Sequence, residues 1–112
     1  MQRVLVTRHR GTVEWARRHG LVVDRVIDHL ESTATLQAGD VVLGNLPVPI
    51  VAELTARGVL YVHLDLRLRR SQRGQELDAD ELVIDPRVFE ATERTDLDVH
   101  RLIDSGGTKG AP

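Results

Sequence analysis

The sequence predicts an α/β fold in which a mainly parallel sheet is flanked by helices. Three observations predict it. Short runs of almost unbroken aliphatic residues recur at Val4-Leu5-Val6, Asp40–Gly44 and Val59–Leu64, as strands buried on both faces require. Segments with helical spacing and recognisable ends separate them. The connections are short and rich in Gly, Pro and polar residues, and strands alternating with helices form parallel sheets. With 112 residues, 41% hydrophobic and 29% charged, the chain makes one soluble domain with a modest core. Trp15, Tyr61 and Phe89 are its only aromatics, so Val, Leu and Ile must fill that core.

The first strand, Val4-Leu5-Val6, stops at Thr7-Arg8-His9-Arg10-Gly11. A helix is expected over residues 12–19, with Thr12 as N-cap, Val13 and Ala16 inward, basic residues in the last turn and Gly20 as the stop. A second strand is expected at Arg25–Leu30, with an imperfect alternation. Residues 31–39 form a polar connector, too short for a crossover helix. The Asp40–Gly44 strand ends in Asn45-Leu46-Pro47-Val48-Pro49. Pro49 suits a first helical turn, Ile50, Val51 and Leu54 form an inward stripe, and Arg57-Gly58 ends the helix. Val59–Leu64 is the fourth strand. This order describes a small Rossmann-like domain over residues 1–104.

Farther along, Asp78 with Glu81 resembles the start of a short helix. Asp85-Pro86 reads as another, with Val88 and Phe89 inward. Leu97, Val99, Leu102 and Ile103 fit an edge strand or a last helix. Residues 105–112 read as a flexible tail.

Net charge is −2, unevenly spread. Residues 1–20 hold five arginines against one glutamate, and residues 66–76 hold four against one. Residues 77–104 hold nine acids against three arginines. Lys109 is the only lysine, and the arginine fork suits phosphate. The absence of cysteine excludes disulfides, iron–sulfur ligation and thiol catalysis. No apolar run approaches a membrane span. The opening is too short and too soon polar for a signal peptide, so a cytoplasmic location is expected.

In parallel sheets, ligands bind outside the carboxyl ends of the strands. This rule selects Thr7–Gly11, Gly44–Pro49 and Asp65–Gly74. The first loop carries a hydroxyl, two guanidiniums and an imidazole before a helix N-terminus, which attracts anions. It reads as a phosphate site or as a solvated polar turn. The second offers backbone amides at Gly44 and Asn45 beside a rigid Leu46-Pro47 wall, or it is a plain strand–helix turn. The third, with Arg67, Arg69, Arg70 and Arg73, is a phosphate-binding run or a solvated face. His29 and His63 read as strand histidines near the core. Neither a dinucleotide fingerprint, a P-loop nor a nucleophile elbow is present. No spacing suggests a metal site, so no cofactor is expected, and phosphate chemistry here would rely on Arg, His and backbone donors.

The run Val6-Thr7-Arg8-His9-Arg10-Gly11-Thr12-Val13-Glu14-Trp15 resembles the V-T-R-H-x-G-x-x-E-W opening of a small stand-alone CRISPR-associated family of the Csx type. Arg10 departs from the proline common at that place. Gly44-Asn45-Leu46-Pro47-Val48, Ala52-Glu53, Arg57-Gly58, Tyr61-Val62-His63-Leu64 and Arg73-Gly74-Gln75-Glu76-Leu77 are similar too. The resemblance covers roughly residues 4–77. It implies a CARF-like accessory protein of type III CRISPR systems, a ring nuclease that linearises cyclic tetra-adenylate and so ends the immune signal. Related small proteins only sequester the ring, and a subunit contacting RNA or an acidic partner is the other alternative. On the ring-nuclease reading, Arg8 stabilises the pentavalent phosphorane and His9 moves a proton or orients the 2′-hydroxyl. Arg73 is a second phosphate contact. Thr7, Arg10, Gly11, Gly44, Asn45, Leu46 and Pro47 bind the ligand. A homodimer suits a cyclic ligand, and no stable DNA binding and no membrane association are expected.

Overall fold

The structure, a computed structural model, describes residues 1–67 and 83–106. Its elements are β1 (Arg3–Val6), α1 (Arg10–Arg18), β2 (Arg25–Ile27), a 3-10 turn (Thr33–Thr35), β3 (Val41–Gly44), α2 (Val48–Ala56), β4 (Leu60–Arg67), β5 (Val83–Val88) and α3 (Val99–Gly106). The strands form one sheet in the order β2-β1-β3-β4-β5. The first four are parallel and β5 is antiparallel to β4. This is a small Rossmann-like domain.

The chain moves outward from the middle of the sheet in both directions. From β1 it steps through α1 to β2, and from β3 through α2 to β4. Crossovers of one hand that advance in opposite directions place their helices on opposite faces. Two cores result. Val4, Val6, Val42 and Tyr61 meet Val51 and Leu54 of α2 on one face. Leu5, Leu43 and Leu64 meet Trp15 and Ala16 of α1 on the other. Adjacent residues of β1 and β3 thus serve different layers, which is why their aliphatic runs are unbroken.

Between β2 and β3 the chain returns across β1, with only the 3-10 turn on the way. Side chains fasten that connection. The Thr33 hydroxyl donates to Glu53 Oε1 at 3.0 Å and accepts from Arg57 Nε at 3.0 Å, tying the turn to α2. Buried Asp40 accepts from the backbone N–H of Gln2 and of Gln37, at 2.9 and 2.8 Å. Those two bonds hold its carboxyl below the ordinary carboxylate range.

Several expectations change. Helix α1 starts at Arg10 with His9 as N-cap, and Thr12 is a buried helical residue. Its amide, together with that of Val13, donates to the His9 carbonyl, so the helix is already under way at Thr12. Strand β2 ends at Ile27, because pairing with β1 stops there; His29 is therefore exposed beyond the strand instead of near the core. Asp85-Pro86 does not start a helix. It lies within β5, where Pro86 pairs with Leu64, and an edge strand tolerates a proline that would interrupt a central one. Leu97 precedes α3, and Val99, Leu102 and Ile103 lie on it. There the Asp98 carboxylate accepts from the Arg101 N–H at 3.1 Å, an N-cap contact. Ser105 and Gly106 close α3. The helix expected near Asp78 and Glu81, the arginine run from residue 68 onward and the remainder of the tail lie outside the described residues.

Candidate functional site

In an open sheet, the crevice for a ligand opens where consecutive crossovers diverge, beyond the carboxyl ends of the strands. In this sheet that point lies between β1 and β3. A cleft of about 640 Å3 occupies it, a size typical of small-molecule sites.

The β1–α1 loop builds the first bank. Thr7, Arg8, His9 and the helical Thr12 line the cleft. The loop is shaped locally, since the His9 N–H donates to Thr7 Oγ1 at 3.1 Å. As N-cap, His9 gives α1 no side-chain cap, and Arg8 and His9 are exposed. Arg10 and Gly11 do not line the cleft. Arg10 opens α1 on the surface, and Gly11 is buried in its first turn.

The second bank is the β3–α2 loop. Gly44, Asn45, Leu46 and Pro47 all line the cleft. Gly44 is needed because of a close approach. A Cβ there would lie 2.7 Å from the Val6 carbonyl oxygen, where the ends of β1 and β3 meet. Behind the loop, buried Tyr61 holds the backbone: its hydroxyl accepts from the Leu46 N–H at 2.9 Å. Burial pushes the Tyr61 phenol above its ordinary value, and that N–H works in the opposite direction.

Sequence reasoning missed a third bank, Asp28, His29, Leu30 and Glu31, which follows β2. The rule that selected the other loops selects this one too, once β2 is ended at Ile27. A polar Asp28-His29 pair inside a nominal strand was the available signal. Ile50, Leu64 and Ile84 add apolar surface. The cleft lining therefore combines a cation at Arg8, carboxylates at Asp28 and Glu31, and aliphatic surface at Ile50, Leu64 and Ile84. Such a lining can pair with an anion, accept from a hydrogen-bond donor and cover an apolar ring system. Among the described residues, no three His, Asp or Glu side chains converge as metal ligands would.

Arg73 lies outside the described residues. Arg67 and Val83, the last and first described residues on either side of that stretch, pair across β4 and β5. His63 stands half-buried on β4, with its Nδ1 2.7 Å from the Tyr61 hydroxyl.

The conspicuous sequence run Val6–Trp15 thus divides into two jobs. Thr7, Arg8, His9 and Thr12 line the cleft. Trp15 is 7% exposed and anchors α1 to the sheet, while Glu14 pairs with Arg17 and Arg18 on the outer side of the helix.

The model of a family described as "Putative CRISPR-associated protein (Cas_VVA1548)" matches residues 4–87. No curated protein and no solved structure is similar enough to match. No described helix is long and apolar enough to cross a membrane.

Proposed function

The chain belongs to this CRISPR-associated protein family, and from that premise we propose that it is a metal-independent ring nuclease that binds and linearises cyclic tetra-adenylate. The observation that carries the reading is the cleft at the β1–β3 divergence, with Arg8 and His9 beside the start of α1 and aliphatic side chains in the same lining. A nucleotide needs both, a cation for its phosphate and an apolar wall for its base.

The reaction needs no external nucleophile. The 2′-oxygen of one ribose attacks its own 3′-phosphorus, and the bond from phosphorus to the next 5′-oxygen breaks. A proton leaves the 2′-hydroxyl and one reaches the departing 5′-oxygen, giving a 2′,3′-cyclic phosphate and a 5′-hydroxyl. Alignment of attacking and leaving oxygens supplies much of the rate. Arg8 stabilises the charge that grows on the phosphorane, and His9 moves a proton or orients the 2′-hydroxyl. A ring of four nucleotides exceeds one cleft of this size, so two clefts facing across a two-fold axis suit it better than one. The protein would then act as a homodimer.

The test is incubation of the purified protein with labelled cyclic tri-, tetra- and hexa-adenylate in EDTA, with the products resolved by chromatography. The expected result is conversion of the tetra-adenylate ring to linear products ending in 2′,3′-cyclic phosphate. Binding without consumption would replace turnover by sequestration. Strict dependence on an added divalent ion would sink the mechanism, and a monomer with and without ligand in sedimentation would remove the two-fold site.

A further inference from the structure

The Tyr61 hydroxyl joins the core to the cleft by hydrogen bonds, and it has more partners than it can serve at once. Its ring is 2% exposed, packed among Val4, Val6, Val42 and Leu54. Its oxygen accepts from the Leu46 N–H at 2.9 Å. It also lies 3.2 Å from the Gly44 carbonyl oxygen and 2.7 Å from His63 Nδ1. A phenol has one proton to give, so it cannot donate to both Gly44 and His63.

Two arrangements satisfy the chemistry. If Nδ1 of His63 carries a lone pair, the hydroxyl donates to it and grips the loop only at Leu46. If Nδ1 carries a proton, that N–H donates to the phenol oxygen, and the hydroxyl proton is released to the Gly44 carbonyl. The loop is then gripped at Gly44 and Leu46 together. Asn45 lies between those two backbone groups and is exposed to the cleft. The imidazole itself is set by its neighbours. The Tyr61 and Phe89 rings make T-shaped contacts with it, at 5.8 and 5.6 Å between centroids. Its cross-strand partner is Arg87, which is paired with Asp65 at 2.6 Å.

We propose that Tyr61 is a positioning residue of the cleft, aiming Asn45 through the backbone on either side of it, and that His63, the nearer acceptor at 2.7 against 3.2 Å, draws the hydroxyl proton to itself and so decides between a one-point and a two-point grip. This rests on the reading of the cleft as the ligand site. The grip itself can be tested with no ligand present.

The experiment is nuclear magnetic resonance on the full chain, wild type against Tyr61→Phe, followed by titration with cyclic tetra-adenylate. Tyr61→Phe keeps the ring in the core and removes only the hydroxyl. The Leu46 amide should exchange with solvent about ten-fold faster, as the loss of one neutral hydrogen bond allows. The His63 Nδ1 resonance should move, and ring affinity should fall by a similar factor. Val51→Ala is the control, since it opens space in the same core layer without touching the hydroxyl. Its exchange should rise broadly and not single out Leu46. His63→Leu leaves the Gly44 carbonyl as the hydroxyl's only acceptor besides water, so the nitrogen of the Asn45 amide, which follows that carbonyl, should shift. Wild-type exchange at Leu46 in Tyr61→Phe, or a loss matched by Val51→Ala at equal stability, overturns the proposal. An unmoved Asn45 nitrogen in His63→Leu overturns the role of His63, and that variant still reports if Tyr61→Phe does not fold. A cleft that binds no ring in the wild type defeats the proposed function, while the exchange data still decide the grip.

Discussion

Two of the three loops that build the cleft are matched in everything but chemistry. Thr7–His9 joins a four-residue strand to a nine-residue helix, and so does Asn45–Pro47. The strands are neighbours in register, with Val6 opposite Gly44. Yet the first loop presents Arg8 and His9 and closes its own turn with the Thr7 hydroxyl. The second presents Asn45 between Gly44 and Leu46 and is held from behind by Tyr61. One loop supplies charge and is locally self-sufficient. The other supplies shape and depends on the core. Substitutions in the first should therefore cost function and spare the fold, whereas in the second they should cost both.

The largest effect is expected in the first loop. If His9 moves a proton, His9→Ala lowers single-turnover cleavage by about 10²–10⁴-fold. Arg8→Ala weakens ring binding through the loss of a charge-assisted phosphate contact, worth roughly 1.5–3 kcal/mol. Both variants should melt close to the wild type. Wild-type rates in both would make this loop a plain surface turn and end the comparison. Gly44→Ala sharpens it from the other side. The added Cβ forces apart the ends of β1 and β3, at a cost of about 1–3 kcal/mol in chemical denaturation, with ligand affinity falling as well. Unchanged stability would show that the close approach is readily relieved.

The smallest effect lies at the far end of the same strands. Asp40 precedes β3 and bonds Gln2 and Gln37. Its carboxyl is lowered by those N–H groups. The stabilisation is therefore complete above the unfolded value near 3.9 and is lost as the pH falls through the lower folded value. Asp40→Asn turns an amide donor toward one of the two N–H groups and should be less stable at neutral pH. Its deficit against the wild type should shrink as the pH drops below about 4, with ring affinity untouched. A deficit independent of pH would assign the effect to packing.

The central strands were legible because burial on both faces leaves an unbroken aliphatic signature, as in Val4–Val6 and Val41–Leu43. The cleft's first two banks followed from those strands alone. What failed to show was decided by pairing. In Arg25–Leu30 the polar Asp28-His29 pair hints at the strand's end, but only the pairing with β1 fixes it at Ile27, and on that point depends whether Asp28 and His29 are strand or cleft. Strand β5 was hidden in a different way. Asp85-Pro86 carries a helix-start signal, and only pairing with β4 overrides it. The run Thr7–Thr12 misled by one turn, because the His9 side chain makes no cap bond to α1 and so leaves no capping signature to read. The Tyr61 grip left no trace in sequence, since its partners are a backbone amide, a backbone carbonyl and a histidine two residues on.

The reversed last strand also sorts the molecule for anyone who would attach something to it. β5 sets out from the cleft end, opposite Arg67, and runs back down the sheet. Beyond it, the Phe89 N–H donates to the Tyr61 carbonyl and the Ala91 N–H to the Thr55 hydroxyl, in the last turn of α2. Exposed Glu90 and Thr92 therefore lie at the end of the sheet away from the cleft. A dye, a surface tether or a fused reporter grafted there would leave the cleft mouth facing free solution, which makes that corner the natural handle for watching ligand arrive and leave one molecule at a time.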